Sequence, residues 1–513
     1  MRFALEAIRA ALALACCAAL LAAAAPVPPD RADLGIAYLR FERAVAAGAK
    51  DPATRSEVNR AFDALTGDFF AGRFDRALTR LAEIEGDLAG DAAEGPARGE
   101  RAFLAAHRFA LEPRLGAADA MREFRVRMTA LDGMNGGTSP ARLLLRQGAR
   151  TIECAVADGT DAGVVALERA FDPGAVELVA RMVALGDVVV ARAYLLGSDP
   201  SARGAELLAR IEALAARGDV DPSIVASLRA RHALAFGAFD RGKSAGLLAD
   251  PRALAASLPK EIEAASAGGR PYAAPGDTWR IVRALGTDLP VRQFVPEGTG
   301  PFPLVVAFHG AGGDENMFFD GYGGGRLLAI ARDRGIAVVC PPTIPFGLSP
   351  NVLTRFLEEL RKDVPFDPAR VGLLGHSLGA VTASRLATMR PDAVNGAVCI
   401  AGFADLPRRG DAPARRVYLA ELDPLFPFEG TRALVETAKA RGEDIELVTV
   451  ANEGHTLVVG EVLDQAVDWL LARPACQSAT TKPNASAPVT SPMNTGVLRS
   501  APSESNPSPG PTK

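Results

Sequence analysis

From Asp30 to about Gly269, apolar residues return at three- and four-residue steps among alanine, leucine and arginine. Such spacing puts them on one face of a helix and predicts an α-rich half. The periodicity resumes in Gly163–Leu185 and again in Ala202–Arg217. Two stretches depart from it. Arg122–Thr129 and Ala141–Arg146 alternate apolar with polar residues on either side of the turn-rich run Asp132-Gly133-Met134-Asn135-Gly136-Gly137, which predicts a small β insertion near residues 120–150.

Past a turn-rich link at Ala267–Gly276 the texture changes to short apolar runs alternating with amphipathic ones. The runs are Trp279–Leu285, Val291–Val295, Leu304–Phe308, Ile336–Cys340, Val371–Leu374, Ala397–Ile400, Val417–Leu419 and Ile445–Val450. Between them, Arg326–Arg334, Val352–Lys362, Leu378–Met389, Thr431–Arg441 and Val462–Leu471 have helical spacing. Alternation of this kind predicts an α/β domain over residues 277–473, with about eight strands in a mostly parallel sheet and helices on both faces. Residues 30–269 form the α-rich domain before it. In that domain, Ala61–Gly86 places small and aromatic residues as a tetratricopeptide-like hairpin does. One unit cannot build the continuous core that about three repeats bury, so it is read as a single helical hairpin.

Composition adds the two ends of the chain. Beyond Pro474, residues 474–513 are Ser, Thr, Pro, Asn and Ala with few large apolar side chains, too little to offset the entropy of ordering them. At the other end, Arg2 to Arg9 lead into the apolar run Ala10–Ala25, which ends in small residues before Pro26. This is the layout of a signal peptide over residues 1–25, cleaved near Ala23–Ala25, and it predicts an exported protein with no stable membrane insertion afterwards. The competing reading, an uncleaved anchor, wants about 20 apolar residues, more than this run has. Cys16 and Cys17 belong to the leader. Of the cysteines that remain, Cys340 and Cys399 lie at or in apolar strand-like runs and read as buried thiols, and the wide spacing of all four, with Cys154 and Cys476, suggests neither a disulfide framework nor a metal site. A net charge of −4 over 513 residues gives no basic surface on which to expect nucleic acid.

The chemistry concentrates in Gly375-His376-Ser377-Leu378-Gly379, directly after one apolar run and directly before a helical one. A serine between strand and helix is held on a tight turn, and glycines two residues to either side relieve the crowding that side chains would cause there. Its hydroxyl then projects at the carboxyl end of the sheet, at a helix start where negative charge is favoured. Serine is a weak nucleophile and needs a base. Of the five histidines, only His455 follows Ser377, in Asn452-Glu453-Gly454-His455-Thr456 just past Ile445–Val450, and so on a loop at the same sheet edge. An imidazole titrates at about 6.5, which suits a base near neutrality.

The segments HGAGGDENMF, GHSLGA, ELDPLFP and EGHT, in this order, resemble the α/β-hydrolase superfamily, especially small secreted serine esterases similar to polyhydroxybutyrate depolymerase-like and feruloyl-esterase-like enzymes and to dienelactone-hydrolase and prolyl-oligopeptidase relatives. The resemblance covers about residues 277–473 and leaves the first half unexplained. It implies an acid between serine and histidine in chain order. Asp423, in the turn closing Val417–Leu419, is the choice, with Asp405 and Glu421 as rivals; Ala420 stands where the family places a glycine. The resemblance further implies an oxyanion hole built from the N–H of Leu378 and that of Gly310 or Ala311, in the glycine-rich loop after Leu304–Phe308. His309 then shapes that loop and His376 packs beside the turn. Phe318, Phe319, Phe346, Phe403, Phe426 and Phe428 sit near the same edge, as pocket lining or as core. No long insertion provides a lid within residues 277–473, which favours an esterase over an interfacial lipase and leaves the α-rich half as the candidate cover. No cofactor or metal is implied.

Two further motifs compete. Gly237 to Ser244 fits G-x-x-x-x-G-K-[ST], but a phosphate loop follows a buried strand, whereas Leu228–Ala235 reads as a charged helix. The run Gly321–Arg326 lacks the last glycine of a dinucleotide loop. Three functions therefore stand. The first is a secreted hydrolase of small-molecule or polymeric carboxylic esters. The second is a peptidase or acyltransferase with the same Ser377, Asp423 and His455. The third is a silent binding protein whose helical half does the work.

Overall fold

The computed structural model describes residues 29–49, 51–88, 96–130, 142–154, 162–237, 251–406 and 412–476. The leader at 1–25, the turn at 132–137, residues 238–244 of the phosphate-loop-like motif and the tail beyond 476 lie outside these residues.

The first helices are α1 (Arg31–Gly48), α2 (Pro52–Ala64), α3 (Thr66–Phe70), α4 (Phe74–Leu88) and α5 (Pro96–Ala106). Three later ones are α6 (Pro200–Ala216), α7 (Pro222–Phe236) and α8 (Pro251–Ser266). Asp-Pro opens four of these helices, α2, α6, α7 and α8. Asp51, Asp199 and Asp221 each accept backbone N–H groups of the first turn, and the proline that follows has no N–H to leave unsatisfied. The apolar faces of α1, α2 and α4 meet in one core around Phe41, Phe62 and Leu81, with the Phe41 and Phe62 rings stacked at 4.9 Å. Leu457, nearly four hundred residues away in the chain, belongs to the same core.

Between α5 and α6 the β content is much larger than the expected insertion. Eight strands fill His107–Leu196: β1 (His107–Glu112), β2 (Leu115–Ala117), β3 (Glu123–Ala130), β4 (Arg142–Gln147), β5 (Arg150–Cys154), β6 (Ala162–Ala166), β7 (Gly174–Met182) and β8 (Gly186–Leu196). They form a three-stranded sheet, β1-β3-β6, and a five-stranded one, β2-β8-β7-β4-β5, which share a core that includes Phe124, Leu145 and Leu178. The helix expected over Gly163–Leu185 is corrected to β6 and β7. Strand β7 keeps a two-residue alternation, with Val176, Leu178, Ala180 and Met182 entering one core, but Val179 on its other face is buried as well, so apolar residues also recur at steps of three and four within what is a strand.

The second half builds the sheet that positions the site. Its strands are β9 (Gly276–Ala284), β10 (Thr287–Val295), β11 (Phe302–Phe308), β12 (Ala337–Cys340), β13 (Phe366–His376), β14 (Gly396–Ile400), β15 (Arg415–Ala420) and β16 (Ile445–Val450). Each overlaps one of the eight apolar runs. The spatial order is β9-β10-β12-β11-β13-β14-β15-β16, antiparallel at β9, β10 and β12 and parallel from β12 onward. Along β11, Val305 and Ala307 enter one core with the helices Arg326–Arg334 and Val458–Leu471, while Leu304, Val306 and Phe308 enter the other with Asn351–Leu360 and Leu378–Met389. This two-residue alternation, with both faces covered, is why the strands read as unbroken apolar runs. The chain leaves β11 toward β12 on one side and returns to β13 on the other. The carboxyl ends of β11 and β13 therefore border the crevice where open α/β sheets bind ligands.

Strand β9 is an edge whose outward backbone groups need partners. Helix α7 supplies them from a four-residue stripe. Ser223 Oγ accepts the N–H of Arg283 (3.0 Å), Ser227 Oγ accepts that of Ile281 (3.0 Å), and Arg231 Nη1 donates to the Trp279 carbonyl (2.7 Å). The segment before Gly237 is thus a helix and not the buried strand a phosphate loop requires.

Candidate active site

Strand β13 ends at His376 and the helix Leu378–Met389 begins two residues later, so the whole reversal falls on Ser377. Its backbone takes φ 54° and ψ −118°, a left-sided conformation that costs a side chain energy and persists only where neighbours impose it. Here they do. The Ser377 N–H donates to the Ile400 carbonyl (2.9 Å), and the flanking glycines sit where nothing larger fits. A Cβ on Gly375 would lie 2.1 Å from the Gly379 carbonyl oxygen, and one on Gly379 only 1.9 Å from that of Phe308.

The loops after β13, β15 and β16 bring three predicted residues into one hydrogen-bonded chain. His455 Nε2 is 2.9 Å from Ser377 Oγ, and His455 Nδ1 is 2.8 Å from Asp423 Oδ2. The second Asp423 oxygen, Oδ1, accepts the N–H groups of Leu425 (2.8 Å) and Phe426 (2.9 Å), which fixes the carboxylate. A carboxylate only accepts, so Nδ1 carries the imidazole hydrogen and Nε2 presents a lone pair to the serine hydroxyl. The Phe426 ring stacks on the imidazole at 5.9 Å, 4° from parallel. The rival acids are engaged elsewhere: Asp405 pairs with Arg441, and Glu421 accepts the Asn452 N–H (3.1 Å).

Residues 304–507 match the model of the alpha/beta hydrolase family. The second half of the chain has the α/β-hydrolase fold. No curated protein matches the sequence. Among solved structures, the chain is similar to the S-formylglutathione hydrolase of Staphylococcus aureus, with 13% identity over 38% of this chain and 96% of that one and a TM-score of 0.33. Esterase PE8 is 21% identical over 36% of this chain and 97% of its own, with a TM-score of 0.30. Esterase 2 of Thermogutta terrifontis is 18% identical over 38% and 94%, with a TM-score of 0.31.

Within the hydrolase domain, the remaining histidines are structural. His376 Nε2 faces the His455 carbonyl (2.9 Å), so it donates, and Nδ1 accepts the Tyr322 hydroxyl (2.8 Å). Complete burial, reinforced by neighbouring His455, holds its pKa well below the ordinary value. Tyr322 Oη in turn accepts the Gly310 N–H (3.3 Å). That bond decides between the two loop donors. Gly310 is occupied, whereas the Ala311 N–H makes no hydrogen bond among the described residues, and the N–H of Leu378, in the first helical turn, has no acceptor within its helix. His309 fastens the loop from behind: its Nδ1 donates to the Gly310 carbonyl (2.8 Å) and its Nε2 accepts the Thr343 N–H (3.3 Å).

Helix α2 holds the His455 loop from outside the hydrolase domain. Asp63 Oδ2 accepts the His455 backbone N–H (2.8 Å), and Asn59 Oδ1 accepts that of Gly454 (2.8 Å). Asn59 Nδ2 donates to the Asn452 carbonyl (3.1 Å), and Arg55 grips Glu453 with two bonds of 2.5 and 3.0 Å. Burial lifts the Asp63 carboxyl to about 6, with the negative charge of Asp423 adding to the rise. Its Oδ1 has no hydrogen-bond partner among the described residues. Sequence reasoning missed these residues. The one sequence clue was the lack of any other cover for the site.

Of the aromatic residues read as pocket lining or as core, most fall to the core. Phe318, Phe319, Phe346 and Phe403 are buried in the hydrophobic cores. Phe426 packs on His455, and the phenylalanines that line one cavity with Ser377 are Phe62, Phe69 and Phe70, from the first half of the chain.

Proposed function

We propose that this hydrolase cleaves carboxylic esters through an acyl-enzyme on Ser377. The observation that carries the reading is the continuous hydrogen-bonded chain Ser377–His455–Asp423, lining one cavity with Ala311, whose N–H, like that of Leu378, makes no hydrogen bond among the described residues. As Ser377 Oγ attacks the acyl carbon, its proton passes to His455 Nε2, and Asp423 stabilises the imidazolium that forms. The carbonyl electron pair moves onto oxygen, where the two N–H groups hold it. Collapse breaks the bond to the alcohol, which leaves with the proton from His455. Water then repeats the sequence, releasing the acid and restoring the serine.

The apolar leader at residues 1–25 supports export to the periplasm or medium, which the mass of the mature chain from an expressing cell would check. Turnover of a p-nitrophenyl ester and covalent labelling by a fluorophosphonate are the tests of the reaction. Ser377→Ala should abolish labelling and lower kcat by about 10⁴-fold or more. Full turnover by that variant would end the proposal.

A further inference from the structure

At Ser377, helices α1 to α4 and the hydrolase domain together line a half-open cavity of about 170 Å³. The hydrolase domain contributes Ser377, His455, the loop Gly310–Gly313, Met317 and Leu425. Facing them are Leu34, Phe62, Leu65, Thr66, Phe69 and Phe70. This apolar wall comes down onto the oxyanion loop itself, since a Cβ on Gly312 would lie 2.3 Å from the Phe69 ring. Two charged side chains in the wall, Arg31 and Asp314, pair with each other at 3.2 Å, and Arg31 also donates to the Gly312 carbonyl (2.8 Å). A charged substrate group entering here would therefore lose water without finding a free counter-charge.

The cavity runs over the loop that carries Ala311, whose N–H the ester-cleaving reading assigns to the reacting oxygen, so it is placed for the group that stays bonded to Ser377. Size follows from a physical comparison: a dry cavity of about 150 Å³ lined by Leu, Ile and Phe accepts benzene. We propose that the N-terminal helices form the acyl pocket, and that the substrates are esters with an uncharged apolar acyl group of about six to eight carbons. This rests on the ester-cleaving reading above.

The test uses the full chain and p-nitrophenyl acetate, hexanoate and dodecanoate, so that only the acyl group varies. Each methylene moved from water into an apolar site is worth about fourfold, so kcat/KM should rise on the order of a hundredfold from acetate to hexanoate. It should fall again at dodecanoate, which outgrows the cavity. Phe69→Ala removes part of the wall and Thr66→Trp fills the space. Each should lower the hexanoate-to-acetate ratio at least about tenfold in protein whose melting is cooperative. A flat acyl series in the native protein, or a ratio unmoved by both variants, overturns the pocket while ester turnover and Ser377 labelling stand. Absence of both turnover and labelling overturns the ester-cleaving reading, and the pocket with it.

Discussion

Asp63 sits on helix α2, yet its carboxylate accepts the backbone N–H of His455, and its other oxygen is buried without a partner among the described residues. Removing that acceptor frees the loop that aims the imidazole. Asp63→Ala should lower kcat about tenfold with little change in KM, and Asp63→Asn, which still accepts the bond, should restore most of it. Native kcat in Asp63→Ala would show that the bond does not aim the imidazole. The carboxyl also leaves a signature in stability. Its folded pKa is raised to about 6, above the ordinary value of about 3.9, so the folded state binds the proton more tightly. The stabilisation this gives is complete below about pH 4 and is lost as pH rises through 6. Asp63→Asn is neutral at every pH. Its stability relative to native should improve on the order of 2 kcal/mol between pH 4 and pH 8, measured by urea unfolding at both.

The strand–serine–helix element works because two glycines let three pieces of backbone pass almost in contact. Gly379→Ala would drive a methyl group into the Phe308 carbonyl, 1.9 Å away without adjustment, and neither β11 nor the helix can retreat from a sheet covered on both faces. A loss of about 3 kcal/mol or more is expected, with a lower urea midpoint and weak labelling of Ser377. A folded, fully labelled Gly379→Ala protein would mean that the element is softer than its geometry implies. The edge strand β9 makes the complementary point, that a helix can finish a sheet. The stripe Ser223, Ser227 and Arg231 on α7 occupies backbone groups that another chain would otherwise pair with.

Across the whole molecule, the first helices and the hydrolase domain share one core through Leu457 and the ion pairs Arg31–Asp314 and Arg55–Glu453, and in the second the Glu453 side chain is almost fully buried. Such a pair is costly to break from one side, because the remaining charge stays out of water without its partner. Arg55→Met should therefore loosen the junction by about 3–5 kcal/mol. Hydrogen exchange should rise together in residues 52–64 and 452–458 and little in β13 and β14, and adding Glu453→Gln should recover part of the loss. Unchanged exchange in Arg55→Met would show that this pair does not hold the junction.

The local signals in the sequence sufficed wherever the physics is local. Apolar runs marked all eight strands of the hydrolase sheet, because both of its faces are covered. A serine between two glycines marked the turn, because only that spacing relieves its crowding. The order of Ser377, Asp423 and His455 along strand ends nominated residues that the fold then placed within hydrogen-bonding distance. The β-rich region at His107–Leu196 was less legible, because buried apolar residues on both faces of β7, Leu178 on one and Val179 on the other, imitate helical spacing. Which loop donor stays available depended on the Tyr322 hydroxyl, and the hold on His455 on Asn59 and Asp63, contacts between segments far apart in the chain. Sequence alone determined the element that carries the serine, since backbone geometry and burial act over a few residues. Tertiary structure alone decided what stands over Ser377, since the shape of an apolar cavity depends on which distant faces are brought together.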